Sequence, residues 1–137
     1  MPATLPKKIL ARQHQITADF LKAIDKHLLD LIEGRATEMF EIRDFAEELH
    51  IHPTHLSNTI KLTTHQSPCF FFEEKILAIA KAMLEENQVA IAEIASKLTY
   101  DPSNFTKFFK HFTGQTPKQY REQFLLEQFK NSEVVTI

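Results

Sequence analysis

The chain has 137 residues, of which 43% are hydrophobic and only two are glycine, a composition that predicts one compact, helix-rich domain or two closely joined halves. No apolar stretch approaches the roughly 20 residues of a membrane span and the N-terminus lacks a secretory apolar segment, so no membrane partner is expected. The single cysteine, Cys69, excludes an internal disulfide and is expected to be a small buried side chain in a cytoplasmic protein.

Residues 1–36 are predicted to form an N-terminal helical extension. Apolar side chains recur there at four-residue spacing, opposite charged ones, which predicts an amphipathic helix of about 18 residues that ends at Gly34. The stripe consists of Ile16, Phe20, Ile24, Leu28 and Ile32. We expect it to pack within the chain and the protein to be a monomer, with a dimer through residues 16–32 as the alternative.

An internal repeat covers much of the remaining chain. Residues 42–68 and 91–117 align at an offset of 49 residues without a gap, and eight aligned positions are identical. The identical residues of the first copy are Ile42, Ala46, Leu49, Pro53, Lys61, Thr64, Gln66 and Pro68. One small structural unit is therefore predicted to be built twice and to present two similar surfaces.

Each copy has the pattern of two short helices joined by a tight turn, which is the helix-turn-helix unit. In the second copy either Asp101 or Ser103 can cap the second helix. The apolar positions of that helix are Phe105, Phe108, Phe109 and Phe112. The inner positions of the matching helix in the first copy are Leu56, Thr59 and Ile60.

The predicted fold class is all-α. Residues 37–68 are predicted to form the first helix-turn-helix unit, 69–86 a linker helix, 87–130 the second unit with a C-terminal helix, and 131–137 a tail. The linker helix has a broad apolar face without Gly or Pro. At 1.5 Å per residue, roughly 17 residues reach about 25 Å. Such a helix is predicted to hold the two second helices at a fixed separation.

Acidic residues are absent from both segments that contain a turn and a second helix, residues 50–68 and 102–121. This absence favours contact with phosphates, because a carboxylate near the DNA backbone would repel it. The outward positions are predicted to be Thr54, His55, Ser57, Asn58 and Lys61 in the first copy and Ser103, Asn104, Thr106, Lys107 and Lys110 in the second. Such side chains can hydrogen-bond to base edges or phosphates. For Thr54 and Ser103, helix capping is the alternative role.

The second copy, IAEIASKLTYDPSNFTKFFKHFTGQTPKQYR, resembles the signature of the AraC/XylS transcription regulators. That signature combines an I-A-x-x-x-x-L core, an S-x-F-x-K/R-x-F-K recognition helix and a G-x-T/S-P-x-x-Y-R segment. The first copy, FAEELHIHPTHLSNTIKLTTHQSP, is similar to the less uniform N-terminal unit of the same family. The resemblance covers about residues 40–122.

The resemblance implies seven helices and a duplex DNA partner, with RNA polymerase as a candidate second partner. It implies base contacts from Thr54, Ser57, Asn58, Ser103, Asn104, Thr106 and Lys107, and phosphate contacts from Lys61 and Lys110. Members of the family commonly carry a ligand-sensing domain before the DNA-binding region. Because 36 residues cannot form one, we expect either a standalone member or a fragment of a longer protein.

Three positions depart from the family pattern. A glycine usually lies in the turn where the second copy has Thr99 and the first has His50, and a residue there often needs a positive φ. The turn is expected to be one residue shorter than the family norm, which would remove that need. His65 replaces the glycine that corresponds to Gly114.

Other classes of function have less support in the sequence. His50, His52 and His55 lack the further ligand that a metal site requires, so no metal or cofactor is predicted. Nothing beyond the nearby His65 would activate Cys69 as a nucleophile, and no phosphate-binding loop or spaced carboxylate motif occurs, so no enzymatic activity is predicted. The alternative to a sequence-specific regulator is a protein-interaction adaptor with the same fold that does not read DNA sequence.

Overall fold

The computed structural model describes residues 6–135 and the side chains of residues 6–132; the first five residues of the predicted extension and the last two of the predicted tail lie outside them. The described chain is all-α, as predicted, with seven helices and no strand. The helices are α1 (Lys7–Ile32), α2 (Ile42–Glu48), α3 (Pro53–Thr64), α4 (Pro68–Glu86), α5 (Ile91–Lys97), α6 (Pro102–Thr113) and α7 (Pro117–Val135).

The chain divides into two compact units, Met1–Lys75 and Ile76–Ile137, with the boundary inside α4. In the first unit α1 packs against α2 and α3. The fully buried core side chains of this unit are Phe20, Ile24, Leu28, Phe45, Ala46, Leu56 and Ile60. Edge-to-face ring contacts connect the core helices; the rings of Phe20 and Phe45 have centroids 5.7 Å apart.

Helix α1 has 26 residues, longer than the 18 or so predicted. The apolar stripe marks only the part of the helix that packs on the rest of the unit. Residues 7–15 extend the helix beyond it, with exposed or half-buried side chains that mostly have good helix propensity. The stripe is buried within the chain as expected, except that Leu31 is buried and Ile32 is only half-buried. These buried side chains are not available for the alternative contact with a second chain.

In the second unit the core is formed by α4, α5 and α6. Its fully buried side chains are Ala80, Leu84, Ile94, Ala95, Leu98, Phe105 and Phe109. Of the four apolar positions of α6, Phe108 is half-buried, although it was expected to be buried with Phe105 and Phe109, and Phe112 is 46% exposed. The 12-residue α6 is longer than the seven-residue α5, and Phe112 lies in its last turn.

Tyr120 and Arg121 of α7 join this helix to the end of α4. The Tyr120 ring packs edge-to-face on Phe109 at 5.3 Å, and its hydroxyl donates to the Glu85 carboxylate. Burial, and then the bond to Glu85, raises the pKa of Tyr120 to about 12. The Arg121 guanidinium donates to the carbonyl oxygens of Leu84 at 3.0 Å and Val89 at 2.8 Å. Arg121 therefore caps a helix end and does not contribute a free cation.

Cys69 is exposed, so the expectation of a buried side chain is wrong. The residue lies in the first turn of α4, where the neighbouring Pro68 takes the buried position.

His27 is a buried titratable group within the first unit. It is 4% exposed; its Nε2 accepts the Phe40 N–H at 2.9 Å, and its ring stacks on Phe40 with centroids 4.0 Å apart. An accepting Nε2 requires the neutral imidazole. Burial lowers the pKa of His27. The negative charges of Asp30, Glu48 and Asp44 raise this pKa, but their effect is smaller than that of burial.

We predict that protonation of His27 destabilises the protein in mild acid. The unfolded chain binds the proton near pH 6.5 while the folded chain binds it only at lower pH, so the free energy of unfolding falls as pH drops below about 6.5. His27→Gln should reduce this dependence, whereas the same change at the exposed His14 should leave it intact. Urea unfolding at pH 7.5 and 5.5 measures the difference, and equal pH dependence in wild type and His27→Gln would contradict the prediction.

Candidate nucleic-acid interface

The turn of the first helix-turn-helix unit closes by a Schellman motif at the end of α2. The Ile51 N–H donates to the Ala46 carbonyl at 3.0 Å and the His50 N–H donates to the Glu47 carbonyl at 3.1 Å. This pattern places the residue after the C-cap in the left-handed region, and His50 has φ 58°.

The turn after α5 repeats this geometry. The Tyr100 N–H donates to the Ala95 carbonyl at 2.9 Å and the Thr99 N–H donates to the Ser96 carbonyl at 3.0 Å. Thr99 has φ 67°, so the expectation that a shortened turn removes the need for a positive φ is wrong. The two backbone bonds of the Schellman motif impose that conformation although Thr is β-branched.

The second helices begin with different caps. His52 caps α3, its Nδ1 accepting the Thr54 N–H at 3.1 Å. Asp101 caps α6, its Oδ1 accepting the Asn104 N–H at 2.8 Å. Neither Thr54 nor Ser103 is the cap, so the helix-capping role considered as an alternative for these two residues does not apply.

Helix α3 presents the expected polar stripe opposite its core face. Leu56 and Ile60 are fully buried and Thr59 is 1% exposed. Of the candidate residues on the other side, Ser57 is half-buried and the rest are exposed, namely Thr54, His55, Asn58 and Lys61.

Helix α6 has the same division between a buried and an exposed side. Phe105 and Phe109 are fully buried. Of the candidate residues, Thr106 is half-buried and the rest are exposed, namely Ser103, Asn104, Lys107 and Lys110. His111, one turn after Lys107 on the exposed side, is a further position that we did not predict, although its i+4 spacing from Lys107 indicates it.

Two of the ten candidate side chains already have partners within the protein. The Asn104 Nδ2 donates to Asp101 Oδ2 at 2.7 Å, and the Thr106 hydroxyl donates to the Pro102 carbonyl at 2.9 Å. Within the part of the chain that the structure describes, the side chains of Asn58 and Lys107 have no hydrogen bond or ion pair. These two occupy aligned positions of the repeat and are free to bind a ligand.

The exposed stripes of α3 and α6 contain no carboxylate, and the nearest acid in sequence to either is the cap Asp101. Within residues 6–135 no group of three or more His, Cys, Asp or Glu residues could hold a metal ion. None of the described helices is long and apolar enough to cross a membrane. Each unit therefore has one acid-free polar stripe on its second helix.

Comparison with known proteins gives the same fold for this chain. A family model described as a helix-turn-helix domain matches residues 45–123. The chain is similar to histidine kinase P4 of Formosa agariphila, with 32% identity over 115 residues, which are 80% of this chain and 8% of the kinase. This chain spans 13%, 38% and 42% of the length of three other similar proteins, each of which is named an HTH-type transcriptional regulator or activator.

Solved structures share the architecture. The C-terminal domain of AraT, a response regulator from Geobacillus stearothermophilus, matches with a TM-score of 0.69 and 26% identity over 79% of this chain and 84% of that one. The DNA-binding domain of AdpA, solved in complex with a target DNA, matches with a TM-score of 0.64 and 17% identity over 80% and 96% of the two chains. At 17% identity the second likeness concerns the fold alone.

Replacing the residue with positive φ in the second turn by glycine is predicted to stabilise the protein. The left-handed conformation costs an L-residue about 1–2 kcal/mol, and glycine avoids this cost. The larger conformational entropy of glycine in the unfolded chain offsets part of the gain in stability. Thr99→Gly should therefore raise the free energy of unfolding by about 1 kcal/mol. His50→Gly, at the matching position, should give a smaller gain because His is not β-branched. Urea unfolding tests both, and a lower stability of Thr99→Gly would show that the side chain has another role.

Proposed function

This chain belongs to the AraC-type helix-turn-helix family, and we propose that it is a sequence-specific DNA-binding transcriptional regulator. In this proposal α3 and α6 enter successive segments of the major groove of one duplex. The observation that carries it is the repeated surface: each second helix has one fully buried face and an opposite stripe without acidic residues. A surface of this kind suits a polyanion that also offers donors and acceptors.

The residues divide into two roles by their chemistry. Base contact falls to Asn58 and Lys107, whose carboxamide and ammonium suit adenine and guanine edges, and to the exposed hydroxyls of Thr54 and Ser103. Lys61 and Lys110, one turn further along their helices, would bind phosphates. Three candidates have less to offer a ligand than their sequence positions suggest. Ser57 and Thr106 are half-buried, and part of the hydrogen-bonding capacity of Thr106 and Asn104 is used within the protein.

The fold of AdpA, a domain solved on its target DNA, supports duplex DNA as the partner. We propose that the chain acts in the cytoplasm by binding and not by catalysis, and that it binds DNA as a monomer because the stripe of α1 is already buried in its own unit. RNA polymerase is the candidate protein partner of such a regulator.

Selection from random duplexes, followed by substitution, tests the proposal. The wild-type chain should enrich a motif of two separated halves. Asn58→Ala and Lys107→Ala should each weaken binding to the selected site by about 1–3 kcal/mol, and each should relax preference in a different half. Lys110→Ala should weaken binding to all sequences and lower the slope of log K against log salt concentration by about 0.9.

A matched control removes the same charge elsewhere. Lys22 is exposed on α1 and belongs to neither stripe, and Lys22→Ala should change neither the preference nor the salt slope. Failure to enrich any motif, with equal affinity of all variants for every duplex, would favour the protein-interaction adaptor instead.

A further inference from the structure

At the start of α6, the carboxylate of the N-cap residue and a carboxamide of the first turn are hydrogen-bonded to each other. The Asp101 carboxylate accepts the Asn104 backbone N–H at 2.8 Å through Oδ1 and the Asn104 Nδ2 at 2.7 Å through Oδ2. Both residues are exposed and both lie at the end of α6 that carries the predicted base contacts. The pair therefore lies on the proposed interface and not behind it.

The pair fixes which way the Asn104 carboxamide faces. Only the amide nitrogen can donate to a carboxylate, and an oxygen in its place would be repelled, so the position of Nδ2 follows from chemistry. One of the two Nδ2 hydrogens is used in this bond. One N–H donor and the Oδ1 acceptor, held in one plane, remain for a ligand.

We propose that Asp101 is a positioning residue that sets Asn104 to recognise adenine in the half of the DNA site bound by the second unit. Adenine offers the N7 acceptor and the N6 amino donor side by side in the major groove, which is the complement of the remaining Asn104 donor and acceptor. Guanine offers two acceptors there and cytosine only a donor, so neither pairs with both groups. This inference rests on the proposed function and adds a base and a mechanism to it.

The first unit has no such device. His52 aligns with Asp101 and His55 aligns with Asn104, and the His52 ring accepts only the Thr54 backbone N–H, at 3.1 Å. No hydrogen bond joins the side chains of His52 and His55 among the described residues. The two half-sites should accordingly differ. Asp101 and Asn104 should specify an A·T base pair in the half-site bound by the second unit, and the aligned His52 and His55 should specify none in the other.

The carboxylate also has an opposite effect on affinity. Asp101 is an exposed anion beside an otherwise acid-free stripe, so it repels phosphates of any sequence. Its removal should raise affinity for non-cognate duplexes while lowering the preference for adenine. A residue that only capped the helix would leave the preference for adenine unchanged when another good capping residue replaced it, because only the loss of charge would then act.

Asp101→Ser provides that replacement, because serine caps helices as well as aspartate but lacks the second, charged oxygen that accepts the Asn104 Nδ2. Binding would be measured on the duplex selected by the wild-type chain and on duplexes with each base pair changed in turn. The base pair at which Asn104→Ala loses preference should be A·T, preferred by wild type by about tenfold or more. Asp101→Ser should reduce that preference by at least about threefold and tighten binding to an unrelated duplex.

Two further variants isolate the mechanism. The double variant Asp101→Ser with Asn104→Ala should show the same preference as Asn104→Ala alone, because Asp101 acts through Asn104. His52→Ser, the matched capping change in the first unit, should leave the preference at this base pair unchanged.

Full adenine preference in Asp101→Ser, or a pair other than A·T at the Asn104-dependent position, would overturn the inference while leaving the proposed function standing. A wild-type chain that enriches no motif at all would overturn the proposed function, and this inference with it. Thermal unfolding of each variant verifies that the helix cap is kept.

Discussion

Burial of one face of α3 and α6 is the constraint on which the candidate interface depends. Leu56 and Ile60 in one helix, and Phe105 and Phe109 in the other, have no exposed surface. Each buried side chain of this size contributes about 1.5–3 kcal/mol, so rotating either helix to hide its polar stripe would expose several such groups at once. The side chains on the opposite face are thereby committed to solvent or to a ligand.

The two units repeat the backbone closely but carry different chemistry on it. Both second helices begin after a residue with positive φ, and both end at a left-handed C-cap, His65 with φ 63° and Gly114 with φ 79°. The hydroxyl of the residue before each C-cap, Thr64 or Thr113, accepts the same backbone N–H two residues later at 3.1 Å. The repeat therefore conserves the devices that position the helix, while the exposed residues are free to differ in what they bind.

The sequence predicted the fold well where periodicity and repetition agree. The two helix-turn-helix patterns, the helix at Pro68–Glu86 and the buried stripe of α1 are found at or near the predicted positions. The length of α1 was underestimated because periodicity reports only residues that pack on a neighbour, and the first turns of the helix extend past the core. Exposure of Cys69 could not be read from residue type, since it depends on which side of a helix turn faces the core.

Prediction of the site was limited by local hydrogen bonds. Charge and spacing placed all ten candidate residues outside the buried core, eight of them exposed and two half-buried. They could not show that Asn104 is held by Asp101, that Thr106 is bonded to its own helix, or that Arg121 caps α4. The first two bonds depend on side-chain rotamers within one helix, and the third forms only when α7 has packed beside the end of α4.

Mapping where each helix lies on DNA tests the central claim most directly. The chain has a single cysteine, and it is exposed, so a Cys69→Ser background allows a DNA-cleaving iron chelate to be attached at Asn58→Cys or at Lys107→Cys. On the selected duplex the two conjugates should cut at two separate centres, about one helical turn apart. Cleavage at the same base pairs from both positions, or no localised cleavage from either, would contradict the account.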